Sequence, residues 1–145
     1  MKRLFTIGYE GTDLDAFLAT LERAKIDVLL DIRELPISRR NGFSKNVLRE
    51  ALEACGIAYR HEKHLGSPRT IRHRLREDGN YQRFFNAYAK HLARHSELLE
   101  ALCDELNGNV ALMCYERDHT QCHRSAVSGV LADWLDLTPQ HLQAA

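Results

Sequence analysis

The chain has 145 residues, 44% hydrophobic and 28% charged, with eight Gly and three Pro. This suits one globular domain over 1–145 and excludes disordered, collagen-like and fibrous chains. Its formal charge is zero, yet residues 33–76 hold eleven Lys and Arg against four acids, a local net of +7 balanced by −7 elsewhere. Such a sector attracts anions even in a neutral protein, or is simply a solvated basic face.

No apolar run approaches the roughly 20 residues that span a bilayer. Residues 1–8 are too short in their apolar part for a secretory signal, so a cytoplasmic protein without a membrane partner is expected. Four cysteines at irregular spacing, in a chain large enough for a real core, argue against a disulfide framework.

Leu4-Phe5-Thr6-Ile7, ended by Gly8, reads as a buried strand. Thr12 and Asp13 offer N-cap oxygens to a helix with Leu14, Phe17, Leu18 and Leu21 on one face. Val28-Leu29-Leu30-Asp31-Ile32 is a second strand, apolar on both faces until Asp31, as in covered parallel sheets. Ser44 caps a helix expected to bury Val47, Leu48, Ala51, Leu52 and Cys55 and to stop at Gly56. Ile57-Ala58-Tyr59-Arg60-His61 is a third strand. Residues 62–79 show no clear period and contain Gly66, Pro68 and Gly79, so a long functional or mobile loop is expected.

Tyr81, Phe84, Phe85, Tyr88 and Leu92 fall at helical spacing and are expected to pack on the sheet. A helix opening at Ser96 buries Leu98, Leu99, Leu102, Cys103 and Leu106 and stops at Asn107-Gly108. Val110-Ala111-Leu112-Met113-Cys114 is the clearest strand. Ala126, Val127, Val130, Leu131 and Trp134 define a last helix, and His141-Leu142 mark a short terminal strand.

Alternating strands and helices predict a three-layer α/β sandwich with a mostly parallel central sheet. Right-handed crossovers gather the loops after the strands on one side, where such sheets bind ligands. That rule selects loops 8–13, 31–43 and 114–123. In the first, Gly8-Tyr9-Glu10-Gly11-Thr12, two glycines permit a sharp turn and the following helix offers amides to an anion. Its spacing is that of neither a dinucleotide-binding nor a nucleoside-triphosphate loop, and an ordinary tight turn is the alternative.

In the second loop, Asp31 and Arg33 lie two apart and share a strand face. They either pair with each other, or Arg33 joins Arg39 in a bidentate anion clamp. In the third, Cys114-Tyr115-Glu116 leaves the strand and Cys122-His123-Arg124 opens the last helix. A cysteine near a helix N-terminus, beside His and Arg, has several reasons for a lowered thiol pKa. Cys114 is either core filler or a second thiol of the site. Glu116 is a candidate general base or a group orienting His123. Zinc sites commonly use close Cys-x-x-Cys pairs and none occurs, so Cys114, Cys122, His123, His119 and His64 are not read as a metal set. A phosphatase-like loop wants Arg six residues after its cysteine, and Thr120 stands there.

Thr6-Ile7-Gly8-Tyr9-Glu10-Gly11, Asp31-Ile32-Arg33 with Pro36, Ser38 and Arg39, Phe43-Ser44-Lys45 and Leu65-Gly66 form one pattern. Ala111-Leu112-Met113-Cys114-Tyr115-Glu116 and Cys122-His123-Arg124 complete it. Together they resemble the bacterial and archaeal domain-of-unknown-function family 488. The resemblance implies a compact α/β domain in which these residues cluster, and it implies no reaction. Two departures stand out: Ile32 where valine is common, and a charged Arg72-His73-Arg74 where members often carry a longer Gly-rich stretch. Residues 28–33 are also similar to the Asp-Val-Arg strand of rhodanese-like domains, but the loop after Cys114 lacks a glycine-rich cradle.

The expectation is an anion-binding pocket at the strand carboxyl ends, in an enzyme acting on a phosphate-bearing nucleotide or nucleic-acid substrate. Gly8, Tyr9, Glu10, Gly11, Asp31, Arg33, Arg39, Cys114 and Arg124 would bind, and Glu116, Cys122 and His123 would act. Alternatives are a non-catalytic nucleic-acid module using the basic sector, and a thiol redox sensor. No cofactor and no oligomeric state is legible.

Overall fold

A computed structural model describes residues 1–144. The strands are β1 (Arg3–Gly8), β2 (Val28–Asp31), β3 (Ala58–His61), β4 (Asn109–Cys114) and β5 (Gln140–Gln143). All pair in parallel, in the spatial order β3-β2-β4-β1-β5. The helices are α1 (Leu14–Arg23), α2 (Lys45–Ala54), α3 (Arg69–Asp78), α4 (Tyr81–Ala93), α5 (Ser96–Glu105) and α6 (Arg124–Leu135).

The alternation of side chains along a strand builds the three layers. In β4, Ala111 and Met113 face a core made with Phe17 and Leu21 of α1 and Leu48 and Leu52 of α2. Val110 and Leu112 face the opposite core, with Tyr88 of α4, Leu99 and Leu102 of α5, and Val127 and Leu131 of α6. The edge strands β3 and β5 are partly exposed, whereas β1, β2 and β4 are almost wholly buried. The three-layer sandwich expected from the sequence is therefore present, with an entirely parallel sheet.

The chain runs from β1 through α1 and α2 to β3 on one face, then returns through α4, α5 and α6 on the other. Connections leaving β4 and its neighbours β1 and β2 thus go to opposite faces. This reversal opens a crevice at the carboxyl end of β4, as in other doubly wound sheets.

Several local expectations change. The unperiodic stretch 62–79 folds as a 3-10 turn over Lys63–Leu65 followed by α3. Pro68 precedes that helix and Gly79, in the left-handed region at φ 61°, ends it. Only Ile71 and Leu75 give it an apolar stripe, both partly buried, so no strong period appears in the sequence. In α2 only Leu48 and Leu52 are buried, while Val47 and Cys55 face solvent, because the helix meets the sheet at its edge along a narrow stripe. Ser44 stands at the N-cap of α2 without capping it through its side chain, and its Oγ instead bonds the backbone N–H and carbonyl of Ser38. Asp13 does cap α1, accepting from the Ala16 N–H at 2.8 Å. Among the described residues no helix is long and apolar enough to cross a membrane.

Candidate functional site

A cleft of about 460 Å³ lies over the carboxyl ends of the central strands. Tyr9 reaches it from β1, residues 33–39 from β2, and Cys114, Glu116, Cys122 and His123 from β4 and the start of α6. The three loops selected in the sequence therefore meet. They contribute unequally.

Arg33 and Asp31 pair with each other. Asp31 is fully buried and accepts from the Arg33 backbone N–H at 3.1 Å, its Nε at 2.9 Å and its Nη2 at 2.7 Å. Tyr59 donates its hydroxyl to the same carboxylate at 2.6 Å. Arg33 Nη1 also donates to the Phe43 carbonyl at 2.7 Å and the Tyr9 hydroxyl at 3.2 Å. Burial works to lower the Arg33 pKa, and the Asp31 hydrogen bonds and charge together outweigh it, leaving the group above its ordinary value. Burial first, and then the Asp31 charge, pushes the Tyr59 hydroxyl up. Arg33 thus borders the cleft with its donors already engaged by the protein. Tyr9, stacked on Phe43 at 4.5 Å between ring centroids, is held by the same network.

In the first loop, Gly8 packs so closely on the Glu116 backbone carbonyl that a side chain would collide with it. Gly11 takes a positive φ of 76°, the turn the sequence suggested. Glu10 does not line the cleft; it accepts from the Arg117 backbone N–H at 3.0 Å, fastening loop 114–123 to β1.

In the third loop, the Cys114 and Cys122 sulfurs are joined as a disulfide. This corrects the expectation of unpaired thiols: the two cysteines, eight residues apart, flank the one loop that returns from the end of β4 to the start of α6. Both cysteines are buried. Cys55 and Cys103 remain free. Glu116 Oε2 lies 3.5 Å from Cys114 Sγ, and burial raises the Glu116 carboxyl above its ordinary range, partly offset by a backbone hydrogen bond and by the Arg124 charge.

His123 is buried, and its Nε2 lies 2.7 Å from the Ile32 carbonyl, so Nε2 carries the proton and donates. Nδ1 is then bare and faces Cys122 Sγ at 3.6 Å. Burial pushes the His123 pKa down to about 4 against the help of the Ile32 hydrogen bond. Arg124 is fully buried and does not border the cleft. Its Nη1 bonds Cys114 Sγ at 3.0 Å and the Glu116 carbonyl, and its Nη2 the Arg117 carbonyl at 3.0 Å. Burial lowers its pKa to about 10, partly offset by the Glu116 charge. It holds the loop in shape from within.

Arg39, by contrast, is exposed on the cleft wall. Two further arginines, Arg72 and Arg76, come from α3, where the sequence pattern suggested a loop. The signal was present: both belong to the basic sector, and a spacing of four puts them on one helical face. Arg72 bonds Glu34 at 3.1 Å and the Ser67 carbonyl. Among the described residues Arg39 and Arg76 have no ion-pair partner. Tyr115, 46% exposed, stands beside Arg39 at the mouth.

A doubly wound, all-parallel α/β sheet with a polar cleft at its switch point defines the class of protein. Within it, the chain belongs to the family described as Domain of unknown function DUF488, whose sequence profile matches residues 13–131. No curated protein and no solved structure matches the chain.

Proposed function

We propose that the cleft binds a phosphate-bearing ligand, a nucleotide or a nucleic-acid end, and that Glu116 serves there as general acid or base. The observation that carries this reading is the convergence of Arg39, Arg72 and Arg76 on one concavity, two of them without an ion-pair partner among the described residues. Guanidinium forks match phosphate oxygens in a bidentate way. The exposed Tyr115 ring beside Arg39 offers a stacking surface, which favours a base-bearing ligand over a bare anion. Glu116 borders the same cleft, and burial raises its carboxyl above its ordinary range, the direction a proton-transferring carboxyl needs. Arg33 and Arg124 act as positioning residues, fixing Tyr9 and loop 114–123.

Calorimetric titration with pyrophosphate, ADP and a 5′-phosphorylated oligonucleotide tests this. Arg39→Ala/Arg76→Ala is expected to weaken binding about tenfold or more and to reduce the salt slope by about two. Equal affinity in the variant, or no binding of any of the three at low salt, overturns it.

A second reading has its own support. The outer side of α3 carries exposed Arg69, His73 and Arg74. Contact with a nucleic-acid backbone along that face needs no catalysis. Arg69→Ala/Arg74→Ala would then weaken oligonucleotide binding and leave ADP binding unchanged.

A further inference from the structure

Arg124 heads the largest fully buried side chains of the protein. No carboxylate lies within 4 Å of its guanidinium among the described residues. Its partners are two carbonyls and the Cys114 sulfur at 3.0 Å. Carbonyls engage both Nη groups, Nε has no partner, and the Glu116 and Asp118 charges act only from beyond ion-pair distance, so burial outweighs them and the charge is costly. The contacting group able to supply a full negative charge is the Cys114 sulfur, as a thiolate.

That sulfur belongs to a triad. Cys114 Sγ, Cys122 Sγ and a Glu116 carboxylate oxygen all lie within 4.8 Å of one another, and all three residues border the cleft. The Cα atoms of the cysteines are 7.5 Å apart, beyond the roughly 4.4–6.8 Å that disulfides usually span. This backbone spacing suits two sulfurs gripping something between them.

We propose that the reduced Cys114–Cys122 pair and Glu116 bind a borderline-soft divalent cation of the zinc class at the floor of the cleft. Two thiolates and a carboxylate carry three negative charges, which a divalent cation and the Arg124 guanidinium together neutralise. Thiolate donors select such an ion over magnesium or calcium. Three protein ligands leave a coordination position turned to the cleft. Reduction of the disulfide by two thiols yields two cysteine thiols and one external disulfide. Binding the cation then releases the two thiol protons to solvent. Arg124 donates an N–H to Cys114 Sγ, the outer-sphere hydrogen bond that steadies a metal thiolate.

The inference rests on the two sulfurs and not on what the cleft binds; with the cation held, Glu116 is a ligand, so the acid–base role given to it above belongs to the metal-free form. The full chain, reduced with a phosphine and kept anaerobic, is titrated with cobalt(II). One equivalent is expected to produce a sulfur-to-cobalt charge-transfer band with intense visible bands of tetrahedral cobalt, displaced by one equivalent of zinc. Cys114→Ser and Cys122→Ser should each lose about half of the charge-transfer intensity and weaken binding at least about tenfold, and Glu116→Gln should keep the band and weaken binding. Cys55→Ser/Cys103→Ser should leave the titration unchanged, whether or not the site variants fold. No charge-transfer band in the reduced chain overturns the proposal, as does its survival in the Cys114→Ser/Cys122→Ser double variant. A pair that stays disulfide-bonded in excess phosphine also overturns it and leaves a structural or redox bridge. Nucleotide binding by the Arg39 and Arg76 variants needs no metal, so the two readings fail separately.

Discussion

His123 is kept uncharged by its surroundings, and the consequence is measurable. Its pKa falls from 6.5 to about 4 in the folded protein, with burial as the main cause. As pH drops below 6.5 the unfolded chain takes up this proton first, while the folded chain resists until about pH 4. Stability from this group is therefore complete above 6.5 and lost progressively between 6.5 and 4, by up to about 3 kcal/mol. His141 and His95, also lowered mainly by burial, add to the same slope. His123→Gln retains an N–H donor for the Ile32 carbonyl but cannot titrate. Urea midpoints at pH 7.5, 5.5 and 4.5 should show a clearly shallower pH dependence in the variant, and an unchanged slope would refute the assignment.

At the scale of elements, the cleft wall depends on two loops touching backbone to backbone. Gly66 packs on Glu34 so tightly that a Cβ would strike its backbone, and this contact fixes where α3 begins. Gly66→Ala is expected to cost about 1–3 kcal/mol through forced backbone displacement. Gly129, exposed in α6 with open space where a methyl group would sit, should respond oppositely to alanine, gaining about 0.5–1 kcal/mol of helix propensity. Thermal melts of both variants check the pair, and destabilisation of equal size in each would contradict the packing argument. The same elements explain what the sequence could reveal. The strands and α1, α5 and α6 were legible because continuous apolar runs and repeated Leu spacing follow directly from burial. α3 was not, since Ile71 and Leu75 are its only inward apolar groups and its polar remainder follows no hydrophobic period. With it went Arg72 and Arg76, so half of the cleft's arginines were missed as a site while being counted as charge.

For the whole molecule, strand order matters most. Placing β4 between β1 and β2 brings loops more than a hundred residues apart into one crevice. Periodicity marks which segments are strands but carries no information on lateral order, so convergence came from the general rule for open parallel sheets. The rule located the crevice and left undecided which arginines would face outward. Arg33 and Arg124 turned inward because the buried Asp31 carboxylate and the loop carbonyls engage them, whereas Arg39, Arg72 and Arg76 reach the wall. Amide chemical-shift mapping with ADP tests this account most directly. Saturable shifts are predicted at Tyr9, Ser38, Arg39, Arg76 and Glu116; shifts confined to the opposite end of the sheet, around Lys25 and Gly108, or none at millimolar ADP, would contradict it.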